Sequence, residues 1–190
     1  MKAGLRIDKQ EILSDNWYKL KKVTYSYSQN GVRKSQTREA YDRGNGATIL
    51  LYNREKRSVI LTKQFRLPTY LNGNADGMLI EACAGLLDLD NPEVAVKRET
   101  EEETGFRITT VRKIFEAYMS PGSVTEIIYF FVAEYAEDER INSGGGLEGE
   151  DIEVLEIPFD KAIEMISTGE IRDGKTILLL HHARLFQLID

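Results

Sequence analysis

The sequence predicts a mixed α+β (α/β) fold, a mixed β-sheet flanked by helices and preceded by an antiparallel β extension. Three observations predict it. Residues 17–27 roughly alternate apolar and polar side chains, and a turn signal leads from them into a second, polar strand. Residues 47–84 hold three dense β-type runs. Later segments switch to helical spacing, one of them with its own start and stop residues.

Taken in order, 17–27 places Tyr18, Leu20, Val23, Tyr25 and Tyr27 in rough alternation, and 29-QNG-31 is a hairpin turn leading into a second polar strand through Tyr41. This part, residues 1–45, has little inner face of its own, so it is expected to lean on the rest of the chain or on a second subunit. Residues 46–190 are expected to form the main domain. There, 47-ATILLYN-53 and 58-SVILTKQFR-66 are strands joined by the polar turn 54–57, and 78-MLIEACA-84 is a third. A helix spans 92–104: Asn91 suits the N-cap, Pro92 the first helical position and Gly105 the stop. Strands follow at about 108–118 and 126–135. The polar, Gly-rich 138-DERINSGGGLEGED-151 is a loop. A strand near 152–157 leads into helices at about 159–168 and 174–188.

A net charge of −6 with no long basic run excludes sequence-independent nucleic-acid binding, which needs a Lys/Arg face. It also means that an anionic substrate needs a cation or a local arginine cluster. The single cysteine, Cys83, rules out an internal disulfide, and its small apolar neighbours make it a buried, inert thiol. The first residues lack the apolar core of a signal peptide. The run 127-IIYFFVA-133 is far short of the ~20 residues a membrane helix needs, so a cytoplasmic protein with no membrane partner is expected.

Glu99, Glu101, Glu102 and Glu103 crowd the end of the 92–104 helix, where the dipole favours cations. Glu99, Glu102 and Glu103 share one face at i, i+3 and i+4; Glu101 points elsewhere, within reach of Lys97. A solvated acidic helix is the bland reading. A hard divalent cation, however, would remove both the mutual repulsion and the dipole penalty, since magnesium prefers carboxylate oxygens.

The surrounding residues resemble the signature of the Nudix hydrolases. Arg98-Glu99-Thr100-Glu101-Glu102-Glu103-Thr104-Gly105-Phe106 meets every fixed position of its ending, with Thr100 in the aliphatic slot. Upstream, Gly85 fits, but Asn91 stands where the family has a glutamate, and the spacer to Arg98 is one residue short. The resemblance implies an α/β/α sandwich, a strand–loop–helix holding Mg²⁺ or Mn²⁺, and hydrolysis of a nucleoside diphosphate linked to another group. The metal ligands it implies are Glu99, Glu103 and the Ala84 carbonyl, with Glu102 close by.

Two look-alikes fail. The stretch 169-GEIRDGKT-176 fits the P-loop pattern, but it follows a helical segment and carries Glu170 and Asp173 where phosphates would sit. Asp173 suits the N-cap of the last helix, and Lys175 in its first turn is expected to meet an anion. An EF-hand reading of 88–99 breaks at Pro92 and Glu93. His181 and His182 read as structural.

Pro121, fifteen residues past the box, is typical of the Nudix branch that cleaves ADP-ribose and similar nucleotide sugars. The N-terminal β unit, 41-YDRGNGATILLYN-53, 117-AYMSPG-122 and 169-GEIRDGKT-176 resemble the GDP-mannose pyrophosphatase group of that branch. This resemblance implies a homodimer that exchanges its N-terminal strands. It implies substrate contacts from Trp17, Thr37, Arg38, Glu39, Arg66, Ala84, Gly85, Leu86, Glu126 and Lys175, and Glu150 as a further metal ligand near the attacking water. Arg38 and Arg66 suit pyrophosphate oxygens and Trp17 suits a base. ADP-ribose remains the alternative substrate, and a sensor that binds a nucleotide sugar without cleaving it is the alternative class.

Overall fold

The computed structural model describes residues 3–88 and 90–189. The chain forms two compact units, Met1–Asn45 with Tyr118–Ile127, and Gly46–Ala117 with Ile128–Asp190. Among the described residues no helix is long and apolar enough to cross a membrane.

The first unit is an antiparallel meander of β1 (Ala3–Asp15), β2 (Lys19–Gln29) and β3 (Val32–Asp42), in the order β1-β2-β3. Asn30 and Gly31 both take positive φ, 53° and 76°, which makes the β2–β3 turn one whose twist matches its strands. The sequence pattern shows β2 and β3 but not β1. Register shifts between Ile7 and Lys9 and between Ile12 and Ser14 break its two-residue period, so no alternation is left to read. The segment after β8 joins this unit through Tyr41: its N–H donates to Ser123 O at 2.7 Å, and its carbonyl accepts from Thr125 N at 3.0 Å.

The second unit is built on a seven-stranded mixed sheet. Its strands are β4 (Gly46–Asn53), β5 (Ser58–Phe65), β6 (Met78–Glu81), β7 (Ala84–Leu86), β8 (Arg112–Tyr118), β9 (Ile127–Glu134) and β10 (Glu153–Pro158). The main path is β10-β5-β4-β9-β8; β6 pairs with β5 and β7 with β4. β4 and β9 run parallel, while β5 is antiparallel to β4, β6 and β10. β4 is buried from Gly46 to Tyr52, as a central strand covered on both faces must be.

The helices are α1 (Leu67–Leu71), α2 (Pro92–Thr104), α3 (Phe159–Thr168) and α4 (Gly174–Leu185). Ala47, Ile49 and Leu51 of β4 join Ala95 and Val96 of α2 in one core, with Cys83, Phe106, Phe131 and Tyr135. Alternation turns Leu50 to the other face, and α4 packs on β4. Helices thus cover both sides of the sheet, giving an α/β/α sandwich.

Further details of the second unit differ from the sequence expectation. The five-residue α1 is too short to show a period. The run expected at 78–84 is two strands, because the chain steps from β5 to β4 between them: Ala82 N donates to Thr176 Oγ1 at 2.6 Å, and Cys83 O accepts from Ile49 N at 3.0 Å.

α2 has the bounds its punctuation predicts. The Asn91 side chain accepts from the N–H groups of Glu93 and Val94, and Gly105 closes the helix at φ 79°, a left-handed conformation that costs glycine nothing. Asn91→Ala is expected to cost about 1 kcal/mol, read as a lower urea midpoint at unchanged m-value.

Candidate active site

The acidic end of α2 is managed by three separate devices. Arg98 Nη1 lies 2.8 Å from Glu99 Oε1 and 3.3 Å from Glu102 Oε2, and Asp88 and Asp90 lie within 4 Å of the same guanidinium. Glu101 is neutralised from beyond the helix by Arg107, at 2.8 and 2.9 Å. Lys97, expected to reach Glu101, pairs instead with Glu93 at 2.7 Å; a glutamate one turn N-terminal to a lysine is the better-oriented pair. The Gly-rich loop caps the helix end, with Gly146 N donating to Glu102 O and Gly145 N to Glu103 O at 3.0 and 2.9 Å.

Glu103 is the exception, because among the described residues no cation is hydrogen-bonded to it. It is 6% exposed, beneath the start of β7. Its carboxyl receives the Cys83 thiol and, at 3.4 Å, Ala84 N. Burial pushes its pKa up to about 7, with the Glu99 charge adding to the rise. Glu99 is raised in the same direction, first by burial; Arg98 opposes, while Glu102 and Glu150 repel. The Glu99 carboxyl packs against Gly85 so closely that a Cβ on Gly85 would lie 2.1 Å from its Cδ. That contact accounts for the signature glycine. Thr100 fills its apolar slot fully buried, its hydroxyl donating to Val96 O at 2.6 Å.

The second unit therefore gathers Ala84, Gly85, Glu99, Glu102 and Glu103 at one place, and holds Glu150 close enough to Glu99 to repel it. Glu150 Oε2 accepts from Leu147 N at 2.9 Å. Leu86 is half-buried and paired with Gly46. Among the described residues no three His, Cys, Asp or Glu side chains are gathered closely enough to hold an ion. The reason is visible: Arg98 draws Glu99 and Glu102 to itself, and Glu103 turns to Cys83 and Ala84. The donor set nevertheless fits a hard divalent cation. Glu99 and Glu103 are carboxylates one turn apart, and among the described residues no cation is hydrogen-bonded to Glu103.

Arg66 and Lys175 belong to this unit as well. Arg66 Nε and Nη2 donate to Glu81 Oε2 at 2.9 and 2.6 Å. Lys175 meets its anion as expected, donating to Asp173 Oδ1 at 2.8 Å, with Glu81 Oε1 at 4.0 Å. Asp173 caps α4 through Thr176 N at 2.9 Å. Burial alone would raise the Asp173 pKa, but Lys175 and Thr176 hold it below the usual carboxylate range. Sequence reading missed Glu81. Its only signal was an acid inside the apolar run 78-MLIEACA-84, and its partners lie 15 and 94 positions away.

Trp17, Thr37, Arg38, Glu39 and Glu126 belong to the first unit. Trp17, 83% exposed, meets Tyr18 edge-on. Thr37 Oγ1 shares a hydrogen bond with Thr24 Oγ1 at 2.9 Å, and Arg38 Nη1 donates to Thr37 O at 2.8 Å. Glu39 is exposed opposite Lys22, and Glu126 pairs with Arg43 at 3.4 Å.

This strand–loop–helix with its buried glutamate defines the class of protein. Residues 42–180 match the family model described as NUDIX domain, and residues 5–41 match that of the GDP-mannose pyrophosphatase NudK N-terminal domain. The chain belongs to the Nudix hydrolase family. More particularly, it is similar from end to end to proteins named GDP-mannose pyrophosphatase. That of Enterobacter sp. (strain 638) is 57% identical over 190 residues, and that of Escherichia coli O157:H7 is 56% identical over 191 residues, each spanning 100% of both chains. A solved structure, the crystal structure of ADP compounds hydrolase, superimposes with a TM-score of 0.73 over 97% of this chain and 94% of that one. At 19% identity that likeness concerns the fold.

If Glu103 holds Mg²⁺, binding is expected to displace a proton from it below about pH 7, because a metal ligand must be deprotonated. Apparent affinity should rise with pH up to that value and level off roughly one unit above it. Calorimetric titration in buffers of different ionisation enthalpy at pH 6 and pH 8 measures the released proton. Equal release at both pH values contradicts the assignment.

Proposed function

We propose that the chain hydrolyses the diphosphate bond of a nucleotide sugar in a Mg²⁺-dependent reaction, with GDP-mannose giving GMP and mannose 1-phosphate. The observation that carries this reading is the carboxylate face of α2, with Glu103 buried beside Ala84 and within electrostatic reach of Arg66. The end-to-end similarity to proteins named GDP-mannose pyrophosphatase supports the choice of sugar nucleotide.

In this reading Glu99, Glu103, Glu150 and the Ala84 carbonyl hold the ions, with Glu102 beside them. Bound Mg²⁺, or Mn²⁺ in its place, supplies charge neutralisation of the diphosphate and a water of lowered pKa. The chain does the rest. Arg66 and Lys175 grip diphosphate oxygens, Arg38 adds a second guanidinium, and Trp17 offers a face to the base. Thr37, Glu39 and Glu126, and in the second unit the backbone of Gly85 and Leu86, are further contacts for the nucleotide sugar in this reading. Water oxygen bonds to one phosphorus as the bridging oxygen leaves it, and a carboxylate of the cradle takes the water's proton. The cytoplasm is the place of action in this reading.

A sensor that binds without cleaving has no need of the intact carboxylate face, which favours the enzyme. Glu103→Gln is expected to lower kcat by at least about a hundredfold while leaving the melting curve in place. Pure protein incubated with Mg²⁺ and a panel of GDP- and ADP-sugars, read by product identity, tests substrate and class together. Unreacted ligand across the panel would favour the sensor, and cleavage of ADP-ribose alone would move the substrate to the ADP series.

We also propose a homodimer in which the N-terminal strands of one subunit complete the partner's pocket. Leu5, Ile7, Ile12 and Leu13 of β1 are exposed apolar side chains that such an exchange would cover. Light scattering at micromolar concentration is expected to give twice the 21.6 kDa chain mass; a monomeric mass would remove the proposal.

A further inference from the structure

Glu81 ends β6 at 3% exposure, three positions before Ala84. An acid in that place has to be answered by cations, and two long side chains converge on it. One carboxylate oxygen, Oε2, accepts both Nε and Nη2 of Arg66, while the other faces Lys175 Nζ at 4.0 Å. Asp173 takes Lys175 from the other side at 2.8 Å, and its Oδ2 accepts from Thr176 Oγ1 at 2.7 Å. The Thr176 hydroxyl in turn accepts from Ala82 N at 2.6 Å. The network therefore runs from β6 across the strand break to the start of α4 and returns to β6.

We propose that Glu81 is a positioning residue that holds the Arg66 guanidinium and, together with Asp173, the Lys175 ammonium as a two-cation clamp on the substrate diphosphate. This rests on the reading of the substrate class given above.

Three features favour a clamp over a purely structural ion pair. A buried ion pair adds little stability compared with apolar residues of the same volume, and the neighbours in β6 are apolar, so packing alone does not call for a charge at this position. Arg66 presents its inner edge, Nε and Nη2, to Glu81, while Nη1 has no hydrogen-bond partner among the described residues and the side chain as a whole is 38% exposed. A guanidinium pinned along one edge offers the other to an incoming oxyanion without losing further rotamer freedom. Finally, Glu81, Ala82 and Ala84 lie on one short stretch of backbone. The residue that orients the cations and the carbonyl assigned to the metal are thus registered to each other by covalent geometry. Glu81 touches no reacting atom in this scheme and acts through Arg66 and Lys175.

The test uses the full chain and Glu81→Gln, which keeps size and removes charge. With saturating Mg²⁺, the KM for GDP-mannose is expected to rise about ten- to hundredfold while kcat stays within about threefold. Calorimetric affinity for GDP should fall by a similar factor, and Mn²⁺ affinity should hold within about twofold. In an Arg66→Ala background the same substitution should add less than about threefold, because its main partner is gone. A KM and GDP affinity within twofold of wild type would overturn the proposal. So would a full Glu81→Gln effect persisting without Arg66, or a loss confined to kcat and Mn²⁺ affinity. If Glu81→Gln does not fold, Glu81→Asp, which keeps the charge and shortens the reach, is held to the same limits. The GDP arm needs no turnover: a wild-type chain that binds GDP but leaves GDP-mannose intact defeats the hydrolysis reading, and the GDP affinities alone then decide the clamp.

Discussion

The site depends on one carboxylate kept out of water. Removing an ionised carboxylate from solvent costs several kcal/mol unless a cation or strong donors answer it. Glu103 has a thiol and a long backbone contact at 3.4 Å, which is a weak answer. The chain resolves this by letting the proton stay, and burial accordingly raises the pKa to about 7. Nearby structure follows from the same constraint. Position 85 has no side chain because the Glu99 carboxyl occupies that space. The loop glycines cap the carbonyls of Glu102 and Glu103, so that no lysine or arginine is needed in the last turn, where it would pair with the carboxylates. Arg98 balances the outer acids without reaching the inner one.

What could be read from the sequence divides along the range of the interactions. α2 was legible to the residue because its signals are local: Asn91 and Pro92 start it, Gly105 stops it, and three glutamates one turn apart mark a face. β4 and β5 were legible as dense apolar runs. β1 was not, because its bulges break the period that a strand is recognised by. The break between β6 and β7 was not, because it depends on the hydroxyl of Thr176, 94 positions from Ala82. The site shows the same split. Spacing gave the shared face of Glu99, Glu102 and Glu103, but not that Glu103 is buried while Arg98 holds the other two. Lys97 had two possible partners at four-residue spacing, and helix orientation decided between them. Glu81 looked like one polar residue in a strand until its distant partners were placed around it.

Charge sets a further condition. The chain carries a net −6, and the diphosphate of a nucleotide sugar is itself an anion. Arg66 and Lys175 do not reverse that balance, because Glu81 and Asp173 cancel them and the four side chains together are neutral. In the proposed function their contribution is therefore short-range: directed hydrogen bonds from groups already held in place, effective at contact and weak at a distance. Long-range attraction has to come from elsewhere, and in the proposed function the divalent ions at Glu99 and Glu103 supply it. This division of labour has a structural consequence. A clamp with excess positive charge beside Glu103 would hold that carboxyl ionised and pair with it, removing the need for a metal. In the proposed function, a neutral quartet answers the Glu103 charge only in part, through Arg66, and leaves the rest for a divalent ion.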